Sequence, residues 1–316
     1  MISMCEIAEK LNSHDKLLVF CHVRPDGDTL GSAFAIKRFL ENIGKTVDVV
    51  CDSPIPEKFS FLGFKAFKPS EITGEYSAHV AVDCSTENML GDGYVLYKKC
   101  AETFNIDHHI SNTRYGKYFY VDDRAACCEI VYELLTALGG EISKSVADCL
   151  LLGISTDTGH YMHSNVTVST FKISSELLAC GGDLHEIGIK MFKNQTRARA
   201  TLQADIMSKM KFFEDGKIAF ISIMQSDLEK FDATPDLTEG FIDYPLSIEG
   251  VEVAVSVLES RQNAYKISLR SKGRVNVNEV AAGFGGGGHI LASGCMLFGF
   301  FEDVKDKIIR AITLSL

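Results

Sequence analysis

The stretch LLVFCHVRPDGDTLGS, residues 17–32, runs from an apolar segment directly into a polar loop. His22, Asp26 and Asp28 follow the apolar run closely, and all three carry atoms that bind metal ions. Pro25 and Gly27 predict a sharp bend between them. The loop is either a solvated acidic turn or a bend that directs these three side chains at one cation, and the rest of the sequence has to distinguish the two.

Strand and helix patterns alternate around and after this loop. Apolar runs predict strands at 17–22, 47–51, 78–83 and 103–107, and helical spacing predicts helices at 30–43, 126–138 and 145–154. This alternation is typical of an α/β fold with a doubly wound, mostly parallel sheet. In such sheets, ligands bind outside the carboxyl ends of the strands.

Several candidate ligands lie at those strand ends. His22 ends the first strand, Asp83 ends the third, and the triplet Asp107-His108-His109 ends the fourth. Asp157 follows an apolar helix. Taken singly, each motif also fits a turn, a cap or a surface histidine pair. As a set they suit Mn²⁺, with Mg²⁺, Co²⁺ or Fe²⁺ as alternatives, and their number suffices for a pair of ions. The candidate ligands are His22, Asp26, Asp28, Asp83, His108 and Asp157.

The pattern changes near residue 191, which predicts a second, smaller α/β domain. We expect a first domain at 1–190, a connecting helix at 191–210 and a second domain at 211–316. Within the second domain we expect strands at 218–223, 251–258, 265–269 and 296–301 and helices at 277–282 and 304–312. The run GFGGGGHILASG, residues 283–294, is either a flexible loop or a nest of N–H groups for an anion. Arg270, in SLRSKG, lies on either a solvated strand face or a ligand-binding one.

Composition limits the classes of function. The chain has 316 residues, 46% hydrophobic and 23% charged, as in globular proteins with a sizeable core. We expect no membrane span and no secretory signal. The ten cysteines form no C-x-x-C pair, which disfavours a zinc ribbon, and we expect them to be reduced in the cytoplasm. The net charge of −10 disfavours binding of long nucleic acid.

These motifs resemble those of the DHH phosphoesterase superfamily. HVRPDGDTLGS, VDCS, DHH and TDTG resemble its successive metal motifs, and GGGGHILASG resembles the hallmark of the DHH-associated C-terminal domain. The resemblance covers roughly residues 15–300. It is nearest to the branch of small two-domain enzymes of the nanoRNase (oligoribonuclease) and pAp-phosphatase type.

The resemblance implies a role for each matching residue. His22, Asp26 and Asp83 would hold one Mn²⁺, and Asp83 would bridge to a second ion. The second ion would be held by Asp28, Asp83, His108 and Asp157. His109 would face the scissile phosphate as a catalytic residue, together with Asp83. The substrate would be bound from the second domain by Arg270, Gly285, Gly286, Gly287, Gly288 and His289.

The implied activity is hydrolysis, by a water activated between two metal ions, of RNA of about two to five nucleotides. Release of AMP from pAp is expected as a second reaction. Cyclic di-AMP and linear pApA are alternative substrates, pyrophosphate is a less favoured one, and a non-catalytic nucleotide-binding regulator is a further alternative. The connecting helix is compatible with a homodimer but does not predict one.

Two positions depart from the expected pattern. His160 follows TDTG, where related enzymes often carry arginine, and this places phosphate anchoring at that end in doubt. Pro245 stands where we expect a residue better suited to a helix or a strand.

Overall fold

The computed structural model describes residues 2–316. The chain folds as two compact units, one up to Asn194 and one from Gln195 to Leu316. Within the described residues, no helix is both long and apolar enough to cross a membrane.

The first unit is built on one parallel sheet. Its strands are β1 (Lys16–Phe20), β2 (Thr46–Val50), β3 (Ala78–Val82), β4 (Thr103–Asp107) and β5 (Tyr118–Val121). Its helices are α1 (Met4–Asn12), α2 (Gly27–Asn42), α3 (Gly93–Tyr97), α4 (Cys127–Ala137), α5 (Lys144–Asp157), α6 (Val168–Ala179) and α7 (Leu184–Gly188). A π-helical turn, Ile189–Lys193, follows α7 directly.

The strand order is β2-β1-β3-β4-β5, and all neighbours are parallel. This doubly wound order reverses direction between β1 and β3, which is the point where such sheets bind ligands. Helices α1, α2, α4 and α5 pack on one face of the sheet, and α3 and its flanking loops cover the other. The predicted α/β class with a parallel sheet is confirmed.

The loop quoted first becomes the start of α2. The Asp26 carboxylate caps this helix by accepting hydrogen bonds from the N–H groups of Asp28 and Thr29, each at 3.1 Å. Helix α2 therefore begins at Gly27, three residues before the apolar spacing predicts. Because the helix starts inside the polar loop, Asp28 lies in its first turn and is fully buried.

Five elements of the first unit were not predicted from the sequence: α1, α3, α6, α7 and β5. Helix α1 begins with a capping box between Ser3 and Glu6, which is a recognisable start signal. Strand β5 is a half-buried edge strand whose residues show no alternation of apolar and polar side chains. Helix α5 also extends three residues beyond its expected end, so Asp157 is its last residue.

The second unit contains a mixed six-stranded sheet. Its strands are β6 (Lys211–Phe213), β7 (Ile218–Ile223), β8 (Val253–Arg261), β9 (Ala264–Ser271), β10 (Gly287–His289) and β11 (Ala292–Phe298). Its helices are α8 (Arg197–Ser208), α9 (Gln225–Lys230), α10 (Asp243–Ser247), α11 (Val277–Ala282) and α12 (Phe301–Thr313). The strand order is β10-β11-β9-β8-β7-β6, and only the β7–β8 pair is parallel.

Most of the segment expected as a connecting helix, 191–210, forms α8 and is part of this second unit. Leu202 and Ile206 of α8 are buried against Ile221 and Ile223 of β7. On the opposite face of the sheet, α11 and α12 enclose a second apolar core. The sheet of the second unit therefore has helices on both faces.

Three local expectations differ from the structure. The expected strand at 296–301 lies earlier, as β11, because α12 already begins at Phe301. The glycine run is not wholly an open loop, since Gly287–His289 pairs with β11. Pro245 lies in the first turn of the short helix α10, where a missing N–H costs no helical hydrogen bond.

Candidate active site

Six side chains converge at the carboxyl edge of the first sheet, beside the point where the strand order reverses. They come from the loops after β1, β3 and β4, from the first turn of α2 and from the end of α5. Their potential ligand atoms form two groups, each with all atoms within 4.8 Å of one another. One group is His22, Asp26 and Asp83, and the other is Asp28, His108 and Asp157.

In the first group, His22 is fixed by the backbone of the next residue. Its Nδ1–H donates to the Val23 carbonyl at 2.9 Å, because a carbonyl can only accept. Nε2 then points at Asp26 Oδ1 and Asp83 Oδ2, each 3.5 Å away.

In the second group, His108 is oriented in the same manner. Its Nδ1–H donates to the Arg124 carbonyl at 3.0 Å. Its Nε2 faces Asp83 Oδ1 at 3.4 Å, Asp157 Oδ2 at 3.5 Å and Asp28 Oδ2 at 3.8 Å. In both groups one imidazole nitrogen donates to a carbonyl and the other is directed at the carboxylates, where a metal ion would lie. This is the arrangement of metal-binding histidines.

Asp83 belongs to the first group and also faces the second. Its Oδ2 faces His22 and its Oδ1 faces His108, so one carboxylate reaches both. Oδ1 is buried and has no hydrogen-bond partner within residues 2–316. The backbone of Asp83 has φ of 56°, in the left-handed region where residues other than glycine are uncommon. A strained backbone and an unpartnered buried oxygen at one residue are typical of a functional site.

The spacing of these atoms fits a cation. Distances of 3.4–3.8 Å between imidazole nitrogens and carboxylate oxygens are longer than hydrogen bonds. Two ligands that each lie about 2.1 Å from one ion are roughly 3.0–3.4 Å apart, depending on the angle between them. The side chains present therefore fit a metal ion better than they fit one another.

The charges of the cluster also indicate a cation site. Burial disfavours the charged form of His22, but Asp26 and Asp83 outweigh it and raise the pKa to about 11. Burial likewise disfavours the charged form of His108, yet the nearby carboxylates of Asp83 and Asp28 raise its pKa to about 11. Burial, then repulsion from neighbouring carboxylates, raises the pKa values of Asp28 and Asp157 well above the usual range. Without a cation, the carboxylates attract protons in its place.

His109 belongs to a separate hydrogen-bonded chain. Its Nδ1–H donates to Asp107 Oδ1 at 2.8 Å, and this bond, with the charge of Asp107, raises the pKa of His109. The other oxygen of Asp107 accepts from Asn112 Nδ2 at 2.6 Å. Because Asp107 engages Nδ1, Nε2 is the nitrogen available to a substrate.

Sequence reasoning missed several of these supporting groups. Asp28 accepts hydrogen bonds from the backbone N–H groups of Cys127, at 2.6 Å, and Cys128, at 2.9 Å. Main-chain donors leave no signal in the sequence. Asn112 lies three residues after DHH, and its side-chain amide was detectable only as a polar residue in a loop.

His160, the departure noted after TDTG, is held within the first unit. Its Nδ1 lies 2.9 Å from Ser155 Oγ, and its ring packs on Phe192 at 5.1 Å between centroids. Gly159, His160 and Tyr161 all have positive φ, so the chain makes a left-handed turn that begins two residues after Asp157. His160 is thus engaged by its own loop and by the π-helical turn.

In the second unit, the remaining candidates share one face of the sheet. Ala292 of β11 pairs with Arg270 of β9 on one side and with His289 of β10 on the other. Side chains of directly paired residues lie on the same face. Gly286 and Gly288 are tightly packed, since a Cβ would lie 2.2 Å from Gly294 O and 2.6 Å from Ala292 O respectively. The structure therefore brings Arg270 and His289 to one face and gives these two glycines a packing role.

Comparison with known proteins identifies the family. Residues 16–154 match the DHH family, N-terminal domain, and residues 215–314 match the DHHA1 domain. A protein of Thermus thermophilus named bifunctional oligoribonuclease and PAP phosphatase NrnA is 30% identical, over 97% of this chain and 92% of that one. The chain belongs to the DHH phosphoesterase family. The predicted resemblance is confirmed, and so is the prediction of a hydrolase of phosphoester bonds.

Further relatives of this DHH protein extend over whole chains. A Bacillus subtilis protein with the same name as the Thermus protein is 26% identical, over 96% of both chains. A crystal structure of an exopolyphosphatase-related protein from Bacteroides fragilis superposes with a TM-score of 0.91 at 27% identity. It covers 98% of this DHH protein and 95% of the other chain. The similarity therefore includes both units.

Proposed function

We propose that this DHH protein hydrolyses RNA of about two to five nucleotides to mononucleotides and converts pAp to AMP. Two findings together carry the proposal. The two oxygens of Asp83 face His22 of one ligand group and His108 of the other, and the chain matches a bifunctional oligoribonuclease and PAP phosphatase over nearly its full length. A chain lacking either ligand group would not support this activity.

We propose that the cluster holds a pair of Mn²⁺ ions. His22, Asp26 and Asp83 would bind one ion. Asp28, Asp83, His108 and Asp157 would bind the other. Mixed imidazole and carboxylate donors favour Mn²⁺, with Mg²⁺, Co²⁺ or Fe²⁺ as alternatives. When bound, such ions neutralise charge on a phosphate and lower the pKa of water.

The residues of the chain would then position and protonate the substrate. His109 lies beside Asp83 Oδ1, 3.6 Å from its Nδ1, and its side chain is 39% exposed, more than that of His22 or His108. We propose that its Nε2 contacts the scissile phosphate or supplies a proton to the leaving oxygen. Asp107 and Asn112 would keep the ring in that orientation.

We propose that the second unit binds the rest of the substrate. Arg270 is half-buried, and its Nη1 donates to the Leu269 carbonyl at 3.1 Å, which leaves other donors of the guanidinium for a phosphate. Gly285, Gly286, Gly287, Gly288 and His289 would contribute a closely approachable backbone and a ring nearby. The N–H groups of Gly285 and Gly286 would not be donors to the substrate, because they already donate to the Ala282 and Ala281 carbonyls. We also propose a cytoplasmic location, because all ten cysteines are free thiols.

The test offers the purified full-length protein several substrates in parallel with Mn²⁺. These are 5′-phosphorylated RNAs of about 2, 5 and 20 nucleotides, pAp and cyclic di-AMP, with resolved products. We expect rapid release of mononucleotides from the shortest RNA, turnover of pAp, and little action on the longest RNA. Asp83→Ala is the matched inactive control, and it is expected to lose bound metal and turnover together.

Other outcomes would reassign the protein. Activity confined to cyclic di-AMP or to its linear product would replace the proposed substrates but retain the metal site. Bound Mn²⁺ with no turnover of any substrate would indicate a nucleotide-binding regulator. Full activity of Asp83→Ala would contradict the proposed metal site itself.

A further inference from the structure

The loop between β5 and α4, residues 122–126, contacts the metal cluster through its main chain. The Arg124 carbonyl accepts the Nδ1–H of His108. The Ala125 carbonyl accepts from Asn165 Nδ2 at 3.1 Å, and the same amide donates to the Asp157 carbonyl at 3.2 Å. Directly after the loop, the first N–H groups of α4 hold Asp28. The position of this short loop therefore affects all three residues of the second ligand group.

The side chain of Arg124 fastens this loop to its surroundings. Its Nε donates to Asp122 Oδ2 at 2.7 Å, within the loop. Its Nη2 lies 2.9 Å from Glu133 Oε1, one and a half turns into α4. Its Nη1 donates to Ser169 Oγ at 3.2 Å, in the first turn of α6. One planar guanidinium thus joins the loop to two helices.

These contacts differ from an ordinary surface ion pair. An exposed pair contributes little because solvent screens it and two flexible side chains must be ordered. Arg124 is 24% exposed at its side chain, and three of its donor nitrogens are engaged at once. The next residues, Ala125 and Ala126, are buried but offer no polar side chain of their own. Arg124 is accordingly the loop side chain that ties this segment to α4 and α6.

We infer that Arg124 is a positioning residue, which holds its own carbonyl against His108 Nδ1 and thereby directs His108 Nε2 at the second metal ion. The inference rests on the proposed function, since it requires that His108 binds metal. Loss of a group that supports a metal-binding histidine typically weakens metal affinity 10–100-fold. Arg124 does not touch the reacting atoms, so its effect on turnover should act through the metal.

The test measures Mn²⁺ binding by titration calorimetry in wild type and in Arg124→Ala. We expect one of the bound ions to bind roughly 10–100-fold more weakly in the variant, and the other to be unchanged, because His22 is fixed by Val23 instead. At saturating Mn²⁺ we expect kcat to recover and KM for a dinucleotide to stay near the wild-type value. The visible absorption of the Co²⁺-loaded protein should change for one site only.

Matched variants separate positioning from a general loss of stability. Lys117 directly precedes β5, at the end away from the loop, and is an exposed cation that pairs with Glu102. We expect Lys117→Ala to bind both ions as wild type does. Ser169→Ala removes one hydrogen-bond acceptor of Arg124, and Glu133→Gln removes the charge of another partner. Each should give a smaller loss at the same ion. They test the inference even if Arg124→Ala fails to fold.

Two results would overturn the inference. Wild-type affinity for both ions in a folded Arg124→Ala, or in both partner variants if it is unfolded, would show that the loop needs no such anchor. Equal weakening of both ions would assign Arg124 to general stability. If wild type itself binds no metal, the proposed function fails, and that result is distinguishable from these two.

Discussion

Asp107 determines how His109 can act. Its two oxygens are each engaged, one by His109 and the other by Asn112. The carboxylate is fully buried, so water does not compete for these hydrogen bonds. It therefore sets both the tautomer and the orientation of the ring that we propose to face the substrate.

We expect Asp107→Asn to lower kcat by roughly a hundred-fold or more, because an amide at this position can present a donor to Nδ1 and reverse the tautomer. Mn²⁺ affinity and KM should change little, as Asp107 is not among the proposed ligands. Steady-state kinetics and calorimetry on the same preparation measure both. Asp15→Asn, at a fully exposed side chain, is the control. Near-wild-type kcat would exclude this role of Asp107.

The raised pKa values of His22 and His108 predict how metal binding depends on pH. Both are about 11, so both rings are protonated near pH 7 when no metal is bound. A metal ligand must be the neutral imidazole. Mn²⁺ should therefore release more than one proton per protein, and its apparent affinity should rise as pH increases from 6 to 9. Calorimetry in buffers of different ionisation enthalpy measures the proton count, and zero release would contradict the assignment.

The contact between α2 and α5 is the packing that sets the site. Gly31 of α2 faces the backbone of α5, where a Cβ would lie 2.4 Å from the Cys149 carbonyl oxygen. Gly153 of α5 faces Cys128 Sγ and Asp28 Oδ1, at 2.2 and 2.6 Å from such a Cβ. The two helices approach this closely only because glycine is present at both positions. The same closeness buries Asp28.

We expect Gly153→Ala to destabilise the protein by about 1–3 kcal/mol, because the added methyl overpacks the core. It should also weaken Mn²⁺ binding, since the methyl displaces the Asp28 carboxylate. Urea denaturation and calorimetry test the two effects. Gly283→Ala is the matched control, because a Cβ at this position would lie no closer than 3.4 Å to another atom, the Val280 carbonyl oxygen, which leaves room for a methyl. Unchanged stability in Gly153→Ala would show that α5 moves freely at this point.

The proposed metal ligands and the proposed substrate contacts lie in different units of the chain. All six proposed ligands lie before Asn194, whereas Arg270 and the glycine run lie after Gln195. The net charge of −10 provides few backbone cations for a long RNA. Metal and substrate contacts are therefore expected to make separable contributions to stability.

Hydrogen exchange should reveal that separation. With Mn²⁺ alone, we expect slower exchange in the first unit, chiefly in the loops after β1, β3 and β4, and no change in the β9 and β10 strands. Adding a dinucleotide to a slowly reacting variant such as Asp107→Asn should then slow exchange around Arg270 and His289. Mass spectrometry of the peptides measures both steps. Protection of β9 by Mn²⁺ alone would contradict this separation.

The sequence by itself determined the class of fold and the set of candidate ligands. Apolar strands that end in His22, Asp83 and Asp107-His108-His109 predict a shared sheet edge, because parallel strands place their carboxyl ends together. The six candidate ligands are histidines and aspartates, and their ability to bind a metal ion follows from residue chemistry alone. Strand β5 could not be predicted, since a half-buried edge strand shows no alternation of side chains.

Only the tertiary structure decided how those residues are held. The N–H groups of Cys127 and Cys128, the carbonyls of Val23 and Arg124, and the amides of Asn112 and Asn165 reach the cluster across distant parts of the chain. Main-chain groups are the same in every residue, so no sequence pattern marks them. Their effect arises from where the backbone passes, and that depends on the packing of α2, α4 and α5 as a whole.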